Sequence, residues 1–494
     1  MQSRRDQVQA HLFVMSRLGS GMLRAEPDAP DTPTGRTTRG AVTGLALGVV
    51  IALVVALYGL LKPAATTGWA TPGALVVVKE SGARYLFVGG QLHPVLNETS
   101  AKLLAGSQMT VRQVSAASLA SVGRGAPVGL VGAPDGVPAV GQLAQGGWLA
   151  CGVQPPPAPG STGGTGSTGS TGSTGKPQLV LSIAPAEQGT ALTAAQGVLV
   201  GAPDGTSYLL WQGRRLRVDR QNSAPQALGY PTAAPFQVPA ALLDALPAGP
   251  DLTAPDIPGR GSPGPVLAAR PTRVGQLFTD PSGGRYVLTR TGLTPLSVLQ
   301  YDLLRGDPRT QKDAYAGAAG DPAPIGPEDL AAHTAPGPGL PGGLPATPPA
   351  LLAAGQAQAV CADLRPSDDG NPVTTVTVLD AAALGGGAPD SEPGVTPGCA
   401  PADRIAVRPG AAVLARALSA AGGGSSEYLV AENGVKYPLP SADAVKQLGY
   451  TGAPTQAVPQ ALLALLPSGP SLDPVALATG QLVPPATGTN PCSG

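Results

Sequence analysis

The sequence is poor in aromatic residues, with Phe, Trp and Tyr making up 3% of its 494 positions. Any core it builds is therefore aliphatic, drawn from the Ala, Leu and Val that dominate a 42% hydrophobic fraction. It carries no excess of either charge, 31 Lys and Arg standing against 31 Asp and Glu. That balance excludes the basic footprint of a nucleic-acid binder. Histidine occurs three times, at His11, His93 and His333, too scattered to form a cluster. Cysteine occurs four times, at Cys151, Cys361, Cys399 and Cys492, and never as C-x-x-C. Zinc spacing and a thioredoxin-type redox motif are both absent. Widely spaced cysteines in even number are compatible with disulfides in an oxidising compartment, and four allow three pairings. A G-x-S-x-G nucleophile elbow is also missing. The sequence thus offers no catalytic, cofactor-binding or metal-binding residues.

Glycine and proline, by contrast, are abundant: 69 and 56 residues, about a quarter of the chain. Together with the hydrophobic fraction, they predict small folded units joined by pliable connectors. The run "GSTGGTGSTGSTGSTGKP" (160–177) ends in Gly-Lys and invites comparison with a phosphate-binding loop. Such a loop requires G-x-x-x-x-G-K-[ST], where the hydroxyl holds Mg²⁺. Here Pro177 follows Lys176, and Ser170 stands where the first glycine belongs. A Gly-Ser-Thr repeat of this kind is a flexible tether.

Residues 41–61, "AVTGLALGVVIALVVALYGLL", contain no charge. At about 1.5 Å of rise per residue, such a helix spans the roughly 30 Å hydrocarbon layer. Arg4, Arg5, Arg17, Arg24, Arg36 and Arg39 precede it. The positive-inside rule then places the N-terminus in the cytoplasm and the C-terminal bulk outside. A cleaved signal peptide fits less well, because the apolar run is long and begins far into the chain. Ahead of it, Val8, Leu12, Met15 and Met22 follow helical spacing, with arginines as a basic complement. This helix is suited to the anionic inner leaflet or to a partner, or it only orients the anchor. Gly19 and Gly21 weaken its second half.

The remainder is repetitive. Residues 207–252 and 427–472 share seventeen of forty-six positions at a constant offset of 220. Among these are Tyr208/Tyr428, Leu228-Gly229-Tyr230/Leu448-Gly449-Tyr450 and Val238-Pro239/Val458-Pro459. Two shorter relatives, 84–106 and 285–306, open with Arg-Tyr and close with Leu-Leu-x-Gly. One unit reads as a hairpin followed by helix. Asn433-Gly434 and Gly89-Gly90 suit two-residue turns, Ser441 a helix cap and Gly449 a stop. Between the repeats, 146–153, 176–185, 357–364 and 373–380 read as strands of a central module. Asp135 and Asp204, in two copies of "VGAPDG", read as Pro-Asp-Gly turns in preference to a carboxylate pair. His93 reads as a structural surface residue.

The run "RRDQVQAHLFVMSRLGSGMLRAEPDAPDTPTGRTTRG", followed by one span and then the repeats, resembles the EccB family of type VII (ESX) secretion machinery. The resemblance implies a non-catalytic scaffold subunit of the secretion membrane complex. It implies EccC (the motor ATPase), EccD, EccE and the mycosin protease as neighbours, within a hexameric assembly. It also implies a core disulfide Cys151–Cys361, with Cys399–Cys492 as the remaining pair, holding the C-terminal tail. Some family members bear an ATPase label, so ATP hydrolysis is the alternative reading, and a cell-wall-binding module is a third.

The expected fold is α+β: a single transmembrane helix plus an elongated exported region of small ββα-type repeats around a central β-rich core domain. The expected organisation is a cytoplasmic head (1–40), the span (41–61), repeat 1 (62–122) and a first core segment (123–206, tether 160–175 included). Repeat 2 (207–272), repeat 3 (273–345), a second core segment (346–426), repeat 4 (427–478) and a tail (479–494) follow.

Overall fold

A computed structural model describes residues 4–24, 33–61, 68–155, 175–186, 189–318, 320–367, 371–389, 391–419, 424, 426–478 and 482–483. The tether proper and Cys492 lie outside them. The chain divides into two compact units, residues 1–71 with 114–121, and residues 72–113 with 122–494.

The first unit holds two long helices and the short helix Ala116–Leu119. Arg4–Arg24 is continuous through Gly19 and Gly21, and Val8, Leu12, Met15 and Met22 are all exposed on it. The second helix runs Pro33–Leu61, starting well before the uncharged stretch. Pro33 opens it because a first-turn residue needs no N–H partner. Its apolar segment Thr37–Tyr58 has a mean hydropathy of 2.6, and among the described residues it alone is long and apolar enough to cross a membrane.

In the second unit the four repeats share one plan. The hairpin and helix expected from sequence lie at the centre of each, and a strand on either side completes it. The leading strands are Leu75–Val78, Gln196–Gly201, Leu277–Thr279 and Val413–Leu418. The closing strands are Val111–Val114, Phe236–Gln237, Ala323–Pro324 and Gln456–Pro459. Every sheet is ordered outer hairpin strand, inner hairpin strand, leading strand, closing strand. In repeats 2, 3 and 4 the closing strand is parallel to the leading one, with the helix as crossover.

Local chemistry sets the ends of these elements. Asn97, Ser297 and Ser441 each accept a hydrogen bond from the backbone N–H three residues on, starting helices Glu98–Ala105, Val298–Gly306 and Ala442–Gln447. Gly449, at φ +82°, follows the last of these helices as expected. The Gly89-Gly90 turn has both residues at positive φ, joining Val88 to its partner Gln91. The Asn433-Gly434 turn differs. Only Gly434 has positive φ, and the loop spans Ala431–Val435 between paired Val430 and Lys436. Asn433 instead accepts from the Val435 N–H and donates to the Tyr437 hydroxyl, which stabilises a longer turn.

All four expected central strands are present, as Trp148–Val153, Gln178–Ile183, Gln358–Arg365 and Val373–Asp380. They form one six-stranded sheet, completed by Thr190–Ala191 at one edge and Arg404–Val407 at the other. Its two faces follow strand alternation. Trp148 and Ala150 face a cluster that includes Val238, Leu242 and Leu246 of repeat 2 and Val458, Leu462 and Leu466 of repeat 4. Leu149, Cys151 and Val153 face a smaller cluster with Cys361 and Leu379. The Val-Pro and Leu-Leu positions shared by repeats 2 and 4 are therefore the feet on which both repeats stand.

Repeats 1 and 3 pack elsewhere. Leu103 of repeat 1 is buried with Leu448 and Tyr450 of repeat 4, and Leu303 and Leu304 of repeat 3 with Leu228 of repeat 2. The glycine of each Leu-Leu-x-Gly permits the approach. A Cβ on Gly306 would lie 2.6 Å from Ala227 Cβ, and one on Gly106 would lie 2.7 Å from Gln447 Oε1. Ala227 and Gln447 are equivalent at the repeat offset of 220. The two sequence classes of repeat thus pair one of each kind, and the same contact occurs twice.

Candidate functional site

Cys151 and Cys361 sit directly opposite one another on neighbouring antiparallel strands and are joined by a disulfide with Cα atoms 4.0 Å apart. Both are fully buried. The bridge links segments 210 residues apart in sequence, before repeat 2 and after repeat 3. Cys399 is also disulfide-bonded, whereas Cys492 lies outside the described residues.

The residues weighed as catalytic are each engaged locally. His93 Nδ1 lies 2.9 Å from Ala126 O, and the imidazole fills the space above Gly125. His333 Nδ1 lies 3.0 Å from Asp329 O, one turn back on its own helix. Asp135 forms an ion pair with Arg84 of repeat 1. Asp204 accepts from the Thr206 N–H at 2.8 Å, which lowers its pKa below the usual carboxylate value. The Pro203-Asp204-Gly205 segment is a turn, with Gly205 at φ +83°, whereas in the first copy the turn falls earlier, at Val131-Gly132, and Asp135 lies at a bend. Among the described residues no group of three or more His, Cys, Asp or Glu side chains is placed to hold a metal ion.

Three polar sites escaped the sequence reading. Trp148 Nε1 donates to Gln456 Oε1 at 3.0 Å, and Gln456 Nε2 reaches the carbonyls of Ala144 and Gly146. Arg260 forms an ion pair with Asp307 at 2.6 Å, with both side chains almost fully buried. Asp307 further accepts from Arg309 and Thr310, which distributes its charge over several donors. Lys436 donates to Leu463 O beside a cavity of about 570 Å³. Burial lowers its pKa to about 8. The only sequence hint to the first site was a glutamine at 456 where repeat 2 has Phe236.

These features define a class of protein built from a membrane-compatible helix, paired repeats, and a sheet stapled by sulfur. A family profile described as "Type VII secretion system ESX-1, transport TM domain B" matches residues 1–484, and the chain belongs to this EccB family. It is 28% identical over 493 residues to the ESX-3 secretion system ATPase EccB3 of Mycolicibacterium smegmatis, covering 95% of this chain and 89% of the relative. It is 32% identical over 344 residues to the ESX-2 secretion system ATPase EccB2 of Mycobacterium tuberculosis, covering 67% and 63% respectively. The fold is similar to that of a chain in an intact ESX-5 inner membrane complex, with a TM-score of 0.63 at 22% identity over 99% of this chain and 97% of that one. It is also similar to the EccB3 dimer from the ESX-3 core complex, with a TM-score of 0.62 at 26% identity over 82% of this chain and 99% of that one.

Proposed function

We propose that the chain is a structural subunit of a type VII (ESX) secretion membrane complex. In this reading the Thr37–Tyr58 segment anchors it, residues before the anchor stay in the cytoplasm, and the four repeats with their central sheet build the extracytoplasmic portion. The observation that carries the reading is the family match over residues 1–484. The buried disulfide supports an oxidising location for the bulk. EccC, EccD, EccE and the mycosin protease are the proposed neighbours, in a hexameric assembly, with Cys399–Cys492 as the second bridge. Mass measurement of the complex purified in mild detergent through a tag on this chain tests the reading. A large multi-subunit mass is expected; a lone monomer, under conditions that preserve the motor assembly, overturns it.

The word ATPase in the relatives' names motivates a second reading, ATP hydrolysis by this chain. Turnover by the full chain, purified beside a catalytically dead motor, separates the two. Hydrolysis indistinguishable from buffer excludes the enzyme, and sustained hydrolysis excludes a purely structural role. Retention on isolated peptidoglycan, lost on denaturation, would instead identify a cell-wall-binding module.

A further inference from the structure

The helix contact that joins the repeats in pairs occurs twice, and its two copies differ in charge. Lys102 stands immediately before the Leu-Leu-x-Gly of repeat 1, where repeat 3 has Asp302. Ser107 follows the glycine, where repeat 3 has Asp307. On the other side of the contact, Lys446 and Thr451 of repeat 4 stand where repeat 2 has Gln226 and Pro231, at the offset of 220. The junction of repeats 1 and 4 thus holds two cations and two hydroxyls. The same positions in the junction of repeats 3 and 2 hold two carboxylates, an amide and a proline. Packing does not require the lysines, because the contact also forms without them.

All four residues line one cleft of about 380 Å³ together with Gln108, with no Asp or Glu among its described lining residues. Clefts of this size suit small ligands. Gly106 approaches Gln447, and a Cβ on Gly449 would lie 3.4 Å from Ser107 Cβ, so the ends of helices Glu98–Ala105 and Ala442–Gln447 meet. Each helix then presents a lysine of its last turn to the cleft. The Lys102 ammonium lies 6.0 Å from the Tyr450 ring centroid, and burial lowers its pKa while Glu98 opposes the shift. Glu98 and Asp443, one turn back on the two helices, form no ion pair with these lysines. Among the described residues, the side chains of Lys102, Ser107, Gln108, Lys446 and Thr451 have no hydrogen-bond or ion-pair partner. Two helix ends contribute about one negative charge between them, so one lysine balances them and the second is in excess.

We propose that this cleft binds a phosphate monoester, a dianion matched by the two ammoniums, with its oxygens accepting from Ser107, Gln108 and Thr451. A monoester carries about two charges and three acceptor oxygens, whereas a carboxylate carries one charge and two oxygens. The bound phosphate bridges repeat 1 to repeat 4 and stiffens their junction.

Calorimetric titration of the full chain in detergent with glycerol 3-phosphate, in phosphate-free buffer at constant ionic strength, tests the proposal. Saturable binding at one site per chain is expected, with a rise in the unfolding midpoint as the ligand stabilises the folded form. K102Q and K446Q, each made alone, should weaken binding by at least about tenfold, as expected for loss of a charged hydrogen-bond donor. K312Q, a charge loss on an exposed residue outside the cleft, should leave it unchanged. Melts without ligand check the fold of each variant. Glutamate, which offers only carboxylates, should bind more weakly than glycerol 3-phosphate. Repeating the titration in nanodiscs separates the sources of the phosphate. Competition by phosphatidic acid in the bilayer assigns the ligand to a lipid headgroup, and undiminished binding assigns it to a soluble ester. Absence of saturable binding, glutamate binding as tight as glycerol 3-phosphate, or wild-type affinity in either lysine variant overturns the proposal. Lysines that only balance their helix ends predict the first of these failures.

Discussion

Trp148 and Gln456 are joined by a buried hydrogen bond, the indole N–H donating to the amide oxygen at 3.0 Å, that ties the central sheet to the closing strand of repeat 4. Gln456 also bonds the carbonyls of Ala144 and Gly146 just ahead of the Trp148 strand. One side chain therefore satisfies the indole N–H and two backbone carbonyls in a buried to half-buried setting. Q456L, similar in volume, leaves all three unpaired, and a loss of about 1–3 kcal/mol is expected. Denaturant unfolding of the full chain in detergent, read by Trp fluorescence, checks this.

Gly306 marks the contact of repeats 3 and 2. G306A places a methyl 2.6 Å from Ala227 Cβ and 3.3 Å from its Cα, a clash that only a backbone shift relieves. Overpacking of this kind costs about 1–3 kcal/mol. The double variant G306A/A227G should recover some of the loss, in thermal melts of the three proteins.

The Ala268-Ala269 turn between strands Pro263–Leu267 and Arg270–Arg273 has both residues in the left-handed region, at φ +49° and +57°. Alanine there costs about 1–2 kcal/mol relative to a permissive residue. A269G is expected to raise the unfolding midpoint, the opposite of the usual effect of adding glycine. An unchanged or lowered midpoint would show that the turn carries no such strain.

The Cys151–Cys361 bridge constrains a very long loop in the unfolded chain and lies within the core. Replacing both cysteines with alanine should destabilise the second unit by about 2–5 kcal/mol. Reductant should act slowly on the native protein and rapidly once denaturant opens the sheet, measured by thiol alkylation and mass spectrometry.

Lys436 imposes a pH dependence whose sign follows from its environment. Its folded pKa, about 8, lies below the unfolded value, so the unfolded state binds more protons between the two. Its contribution therefore makes stability rise as pH increases from about 8 towards 10. K436M should flatten that rise. Above pH 10 the sign reverses for Tyr230 and Tyr315, whose folded pKa values burial raises to about 12. Melts of wild type and K436M across pH 7–10 report the difference.

Much of this architecture was legible one segment at a time. The apolar span, the caps at Ser441 and Gly449, the Gly89-Gly90 turn and the four central strands depend on residues close in sequence. The hairpin-and-helix centre of each repeat was visible for the same reason. The leading strands were not, because repeats 2 and 4 join leading strand to hairpin by loops of different length. Tyr208 opposes Val200, whereas Tyr428 opposes Ala415, so an ungapped comparison ends at the hairpin. The longer turn at 431–435 likewise displaces Lys436 by one position, which hid its equivalence to Arg215.

The sequence by itself determined that the chain has one apolar helix, a duplicated unit and an aliphatic core, because periodicity and composition act locally. Only the tertiary structure decided that repeat 1 pairs with repeat 4 and repeat 2 with repeat 3, and which face of the sheet holds the sulfur bridge. It also showed that, among the described residues, Arg215 meets the carboxylate of Asp244 while Lys436 meets a backbone carbonyl. Those outcomes depend on groups tens to hundreds of residues apart meeting in space, and short-range pattern does not encode such meetings.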